Sequence, residues 1–145
     1  MRRAALLLAA PLALLCGGAA PPPTSSPDDT SCKFHKPVEE FDIYAKLPAR
    51  VREFVEHQMG AMAEKNAPYN HTMAQGVNAP SRRFLRAGRQ GSRWFIWYKQ
   101  GGIAMTTHIY VLEWPKPMAK LREVGRRLYF AGQDPCALTE ELLAD

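Results

Sequence analysis

The feature that most constrains the fold is a series of β-like runs between residues 82 and 114. Three runs cover residues 82–89, 92–99 and 103–114, and the gaps between them read QG and QGG. Short glycine-containing gaps between such runs are typical of hairpin turns. Pro115 and Pro117 forbid further regular pairing. The stretch therefore predicts a three-stranded antiparallel meander.

The middle run is apolar on both of its faces. Side chains alternate along a strand, so Trp94, Ile96 and Tyr98 share one face while Phe95 and Trp97 share the other. A folded part of about 110 residues must bury its apolar surface, so both faces need a cover. If the second face stayed open, an aromatic patch around Phe95 and Trp97 would mark a partner site.

Two segments can supply this cover. Residues 51–62 carry one apolar stripe at three- and four-residue spacing, typical of an amphipathic helix. Residues 119–145 carry a shorter stripe, and Asp134-Pro135 is typical of a cap and first helical turn before ALTEELL. The stripes consist of Val51, Phe54, Val55, Met59 and Met62, and of Leu121, Val124 and Leu128. The sequence predicts an α+β fold: one N-terminal amphipathic helix packed on a three- to four-stranded antiparallel meander, with short C-terminal helices.

One helix followed by an antiparallel meander is similar in layout to the cystatin-like fold. The resemblance covers the helix and the three strands and is architectural. Cystatins carry a Q-x-V-x-G loop between strands, whereas the first hairpin here reads GRQGS. The resemblance therefore implies a layout and not an activity, because one fold hosts many functions.

The first 20 residues, MRRAALLLAAPLALLCGGAA, are typical of a secretory signal. Two arginines precede an apolar run of 13 residues and then small residues, and a membrane-spanning helix needs roughly 20 apolar residues. Residues 21–31, PPPTSSPDDTS, have no apolar side chain to bury and predict a flexible linker. Residues 32–145 then form a single domain, periplasmic or secreted. An alternative is a lipoprotein signal with Cys16 lipidated, which would anchor the protein to a membrane.

Export determines how the remaining cysteines are interpreted. Cys32 and Cys136 bracket the domain and form an even pair in an oxidising compartment, which predicts a disulfide. The spacing of Cys32 and His35, C-x-x-H, allows a metal site instead. A zinc site needs three or four converging ligands, and the other histidines stand far apart, so we expect no metal and no cofactor. Asn70 begins an N-x-T acceptor, used for a glycan only in a eukaryotic secreted protein.

The charge does not favour nucleic acid. The formal charge is +5, and removing Arg2 and Arg3 with the signal leaves +3. Strict alternation places Phe84 and Arg86 on one face of the first strand and Arg83, Leu85 and Arg89 on the other, so the arginines form no single stripe. SRWFIWYK also departs from the aromatic RNA-recognition pattern. The sequence predicts no nucleic-acid partner.

No catalytic motif occurs in the chain: G-x-S-x-G, H-E-x-x-H, P-loop and G-x-G-x-x-G are all missing. The absence of these motifs favours a non-catalytic binding or inhibitory domain that binds another exported protein or an envelope component. The predicted binding residues are Arg86, Arg93, Phe95, Trp97 and His108.

Two alternatives remain open. One is a small exported enzyme or ligand-pocket protein using His57 and His108, since Glu53 lies one helical turn before His57 and could orient it. The other is a binder of anionic envelope polymers through the arginines of the first two strands. These are Arg82, Arg83, Arg86, Arg89 and Arg93.

Overall fold

The structure is a computed structural model that describes residues 32–72 and 78–145. The predicted signal peptide, with Cys16, and the predicted linker lie outside the described residues. The fold is α+β, with a six-stranded sheet and two helices.

The strands are short at the N-terminal end of the domain and long afterwards. They are β1 (Glu39–Phe41), β2 (Met62–Ala63), β3 (Arg82–Gln90), β4 (Arg93–Gln100), β5 (Thr106–Glu113) and β6 (Arg122–Tyr129). Their order is β1-β3-β4-β5-β6, and β2 pairs with the first residues of β3. The pairing is antiparallel except for β2 with β3, which is parallel.

The helices are α1 (Ala49–Met59) and α2 (Pro135–Ala144), and a 3-10 turn covers Tyr44–Lys46. Helix α1 ends at Gly60, which has φ +84° and donates its N–H to the Glu56 carbonyl at 2.7 Å. Few residues other than glycine adopt this φ. The predicted helix continued to Met62, but Met62 instead opens β2 and stays buried there.

The sheet is buried on both faces, which we call the first and the second face. On the first face, a buried cluster joins residues of α1 with alternate residues of β3, β4 and β5: Val51, Val55, Met59, Phe84, Trp94, Ile96, Tyr98 and Tyr110. On the second face, Phe95 and Trp97 belong to a cluster that contains Leu142 and Leu143 of α2. The expectation that the C-terminal segment covers the second face is confirmed.

The predicted architecture is wrong. A single helix on a three- to four-stranded meander is replaced by a mostly antiparallel six-stranded sheet with two helices. Part of the segment expected to form C-terminal helices is β6, which pairs along β5 from Thr107 to Glu113. The three residues of the predicted stripe do not share a face: Leu121 precedes β6 and packs against the first-face cluster, Val124 packs against the second-face cluster, and Leu128 stays 40% exposed. Pairing with the free edge of β5 outweighs the helical pattern.

Strand β3 contains an irregularity that overturns the predicted facing of its arginines. The register with β4 shifts between Phe84 and Arg86, so Phe84 pairs with Tyr98 and Arg86 pairs with Trp97. An extra residue in one strand is a β-bulge, and it interrupts the alternation. Leu85 joins the second-face cluster, and the Arg86 guanidinium lies 5.3 Å from the Trp97 ring. Phe84 and Arg86 therefore lie on opposite faces, contrary to the prediction.

Candidate functional site

The cysteine pair forms the predicted disulfide. Cys32 and Cys136 are bonded, with their Cα atoms 5.8 Å apart. Asp134 lies beside them, with its ligand oxygen within 4.8 Å of both sulfurs. Disulfide sulfurs are not the thiolates that bind zinc, so this group is no zinc site. His35 is instead paired with Glu140, Nδ1 to Oε2 at 2.8 Å, and that carboxylate raises the pKa of His35.

The predicted binding residues on the second face are buried and pack against other side chains of that face. Phe95 and Trp97 are 0% and 1% exposed. Arg86 is also buried, with Nε donating to Glu40 at 2.9 Å and the guanidinium stacked 5.2 Å from the Phe34 ring. These side chains do not form an accessible patch in this structure.

Arg93 has a structural contact as well. Its guanidinium donates to the Leu143 carbonyl at 2.8 Å and approaches that of Leu142 at 3.5 Å. Both carbonyls belong to the last turn of α2, where free carbonyl groups and the helix dipole attract a cation. Arg93 therefore ties the end of α2 to the sheet.

His108 lies on the first face, away from the other four predicted residues. Its ring stacks on Tyr98 at 4.9 Å with 5° between the planes, and Nε2 lies 2.9 Å from the Thr106 hydroxyl. Burial lowers the pKa of His108, and the charges of Arg126 and Arg82 lower it further. The imidazole is consequently held neutral.

The neighbouring tyrosines of this face are fully buried. Burial raises the pKa of Tyr98 and Tyr110, and the carboxylate of Glu123 raises that of Tyr110 further. Within the described residues, neither tyrosine hydroxyl has a partner in hydrogen-bonding geometry, and neither does Nδ1 of His108. The Arg126 guanidinium stacks 5.0 Å from the Tyr110 ring.

His57 lies elsewhere, on the exposed side of α1. It lines a shallow groove with Arg50, Glu53, Phe54, Lys120 and Leu121. His108 is not among these residues, so this groove does not join the two histidines.

A cleft of about 320 Å³ lies at the end of the sheet where β3 turns into β4. We call it the tryptophan cleft. It is lined by Arg89, Gly91, Ser92, Trp94, Trp114, Pro115, Lys116 and Pro117. Its volume is at the lower end of the range for small-molecule sites.

Strand pairing assembles this cleft from distant parts of the sequence. Trp94 is the second residue of β4, and its Cα partner on β5 is Leu112. Two residues later the chain places Trp114 beside the β3–β4 turn, where its backbone N–H donates to the Ser92 carbonyl at 2.7 Å. Gly91 makes the turn possible with φ +61°. Pro115 and Pro117 then direct the chain out of the sheet and close one side of the cleft.

The lining of the cleft is cationic and aromatic. The Arg89 guanidinium stacks 5.7 Å from the Trp94 ring, and that of Arg50 lies 5.7 Å from the Trp114 ring. Arg50 also donates to the Pro117 carbonyl, which holds the proline segment against α1. Arg89 and Lys116 are the cations of the lining itself, with Arg50 behind Trp114, and none of the described residues that line the cleft is acidic.

Sequence reasoning found Arg89 as one of five candidate arginines but missed Trp114 and the cleft. Of the other four, Arg82 donates to the Met59 carbonyl and Arg83 stacks 4.6 Å from the Tyr69 ring. The available signal was the WPKP sequence after a strand, since an aromatic residue before two prolines lies where pairing stops.

No family model, curated protein or solved structure matches the chain. The likeness in layout to the cystatin-like fold therefore gains no support from any match. In the described ranges 32–72 and 78–145, no helix has the length and apolar character needed to cross a membrane.

Proposed function

We propose that the protein is an exported, non-catalytic binding domain that holds a segment of an anionic envelope polymer in the tryptophan cleft. The observation that carries the proposal is the lining of the cleft: two indole rings, each with a guanidinium group stacked on it, and a lysine, with no carboxylate among the lining residues that the structure describes. The predicted signal peptide and the Cys32–Cys136 disulfide support the export.

The chemistry of the lining matches an acidic chain with an apolar backbone face. A guanidinium offers a planar set of donors that suits a carboxylate or a phosphate. An indole presents a broad apolar face with a polar edge. Trp114 is partly exposed and can take this face directly, while Trp94 is 2% exposed and supports Arg89 from below.

The lining also favours binding over catalysis. Apart from the cations and indoles, the only polar side chain among the described residues that line it is the Ser92 hydroxyl. General acid–base catalysis needs a group whose pKa lies near the working pH, such as an imidazole or a carboxyl. The cleft offers neither, whereas binding needs only complementary shape and charge.

A pair of matched polymers tests the proposal. Polygalacturonate carries a carboxylate on each sugar, and fully methyl-esterified pectin has the same backbone without the charge. We expect quenching or enhancement of the Trp114 emission by polygalacturonate alone, with affinity that falls as salt rises. Trp97 lies on the other face of the sheet and supplies an unresponsive background. A phosphate-bearing polymer in parallel distinguishes phosphate from carboxylate ligands.

Variants locate the binding site. Arg89→Gln should weaken polygalacturonate binding roughly tenfold, the value of one charge-assisted contact. Trp114→Ala should weaken it by a similar factor, because the apolar face of the indole is lost. Arg122→Gln removes the same charge from an exposed pair with Glu113 and serves as the control. Glu39 is the Cα partner of Arg89 on β1, so Glu39→Gln should strengthen binding. The cleft is not the binding site if the protein binds both polymers equally. It is also not the site if Arg89→Gln, Trp114→Ala and the control Arg122→Gln weaken polygalacturonate binding to the same extent.

A further inference from the structure

The opposite end of the sheet exposes a group of large apolar side chains. Ile103 is 98% exposed, Met105 58%, Leu128 40% and Phe130 58%. Among the described residues they are four of the six exposed large hydrophobic residues. We call these four residues the apolar tip.

Strand pairing brings the four residues together. Ile103 and Met105 belong to the turn between β4 and β5, and Thr107 pairs with Tyr129 at the last residue of β6. Phe130 follows Tyr129 directly, and Leu128 precedes it. The turn and the end of β6 are thus neighbours along one edge of the domain.

The base of the turn is held in place. Gly101 donates its N–H to the Ser81 carbonyl at 2.8 Å, and Gly102 donates to the His71 carbonyl at 3.3 Å. A Cβ atom on Gly101 would collide with the Asn70 carbonyl oxygen. The Tyr69 hydroxyl also reaches the Met105 sulfur at 3.5 Å. The tip therefore projects from a supported base.

The chain segments that form this end of the domain contain basic residues. Residues 66–72, 78–85, 98–108 and 127–133 contain Arg82, Arg83, Lys99 and Arg127 but no aspartate or glutamate. Lys99 is buried, at 5% exposure, so the charge at the surface comes from the half-buried Arg82, Arg83 and Arg127. Glu141 of α2 reaches Arg127. Asp134, the next acid along the chain, accepts the N–H groups of Cys136 and Ala137 at the start of α2. The balance at this end is positive.

We infer that the apolar tip inserts into the interface of a membrane that contains anionic lipid. Ile103 makes almost no contact with its own domain, so it is a protrusion and not part of a groove. A protein partner would need a matching pocket for it, whereas a bilayer accepts any apolar protrusion of this size at the headgroup boundary. Cations beside the insertion gain from the negative surface potential. A helix that spans the membrane is not needed for this attachment.

This surface is separate from the tryptophan cleft. The cleft lies at the start of β4, beside Ser92 and Trp94, and the tip follows the last residue of the strand. An eight-residue strand is about 25 Å long. A domain attached at the tip would therefore present the cleft away from the membrane.

Vesicle sedimentation tests the inference with a matched control. We expect the protein to bind vesicles of phosphatidylcholine with 30 mol% phosphatidylglycerol, and to bind pure phosphatidylcholine at least about tenfold more weakly. The double variant Ile103→Ser with Met105→Ser should lose about tenfold or more of the partition, because the buried apolar area is lost. Met118→Ser removes a 93% exposed methionine from the β5–β6 loop and should change it less than about twofold.

The outcomes separate this inference from the proposed function. Trp114→Ala should keep its vesicle binding, and the Ile103/Met105 variant should keep its polygalacturonate binding. Unchanged melting temperatures exclude unfolding as the cause. The inference is overturned if the native protein ignores anionic vesicles, if Met118→Ser reduces binding equally, or if the tip variant instead abolishes a dimer seen by size exclusion without affecting vesicle binding.

Discussion

The indole N–H of Trp97 donates a hydrogen bond to the hydroxyl of Thr139 at 2.9 Å, and this hydroxyl donates in turn to the Pro135 carbonyl at 2.7 Å. Both side chains are buried, at 1% and 0% exposure. The chain of donors runs from the middle of β4 into the first turn of α2. The bond satisfies the one polar atom of the indole, which is the condition for burying a tryptophan at little cost.

Removing this indole should destabilise the domain strongly. Trp97→Ala is expected to lower the free energy of unfolding by about 3–5 kcal/mol, because it leaves a cavity in the second-face cluster. Thr139→Val keeps the volume and removes only the hydroxyl with its two hydrogen bonds, so it should cost about 1–3 kcal/mol. Urea denaturation followed by circular dichroism measures both. A loss below about 1 kcal/mol for Trp97→Ala would show that this face is open in solution.

The central strands could be predicted from the sequence because local signals agree there. Observed β3, β4 and β5 begin and end within three residues of the runs read from the sequence. Glycine turns bound these runs, and the middle run is a continuous apolar stretch of strand length, which is typical of a strand buried on both faces. The C-terminal helix could be predicted equally well, since Asp134 is a typical N-cap residue and does accept the N–H groups of Cys136 and Ala137.

The remaining elements depend on distant partners. Strands β1 and β2 have three and two residues, too few to show a periodicity, and they form only along the free edge of β3. The bulge at Leu85 reverses the alternation that placed Arg86. The tryptophan cleft joins Trp94 and Trp114, which only the β4–β5 register brings together. No single window of sequence carries that information.

The disulfide should be present without any added oxidant. Iodoacetamide added to the denatured protein before reduction should leave Cys32 and Cys136 unmodified in peptide mass mapping, and reduction should expose both. The Cys32→Ser, Cys136→Ser double variant should lose up to roughly 4.7 kcal/mol, since the bond closes a loop spanning 104 residues of sequence separation. Alkylation of both thiols before reduction would contradict the pairing.

Arg86 should contribute to stability and not to ligand binding. Its guanidinium is buried between Phe34 and Trp97 and ion-pairs with Glu40 at 2.5 Å. Arg86→Met keeps the length and removes the charge, which leaves the Glu40 carboxylate without this partner. Glu40 is 41% exposed and can be solvated, so we expect a loss of about 1–3 kcal/mol.

The comparison with Arg89 makes this prediction specific. Arg86→Met should leave polygalacturonate binding within about twofold of the native value, since a side chain inside the packing gives no contact to a ligand. Arg89→Gln should show the reverse, weak binding with little change in unfolding. A tenfold loss of binding in the Arg86 variant, at unchanged stability, would show that Arg86 contacts the ligand.

Two histidines should titrate in opposite directions from the ordinary value of 6.5. Glu140 accepts a hydrogen bond from His35 and raises its pKa, while burial, with Arg126 and Arg82, lowers the pKa of His108. The folded state binds the His35 proton more tightly than the unfolded state does. The His35 contribution to stability is therefore present below 6.5 and is lost as the pH rises through the raised pKa.

For His108 the sign is reversed. In the unfolded chain His108 binds a proton near pH 6.5, whereas in the folded chain it binds one only at lower pH. The stability of the fold therefore decreases as the pH drops from 6.5 through the lowered pKa of His108. Titration of the imidazole resonances by NMR measures both values in one sample. Glu140→Gln should return His35 toward 6.5 and leave His108 unchanged, whereas Arg126→Gln should raise the pKa of His108 and leave His35 unchanged. Two histidines titrating together at 6.5 in the native protein would contradict both the His35–Glu140 pair and the buried stack of His108 on Tyr98.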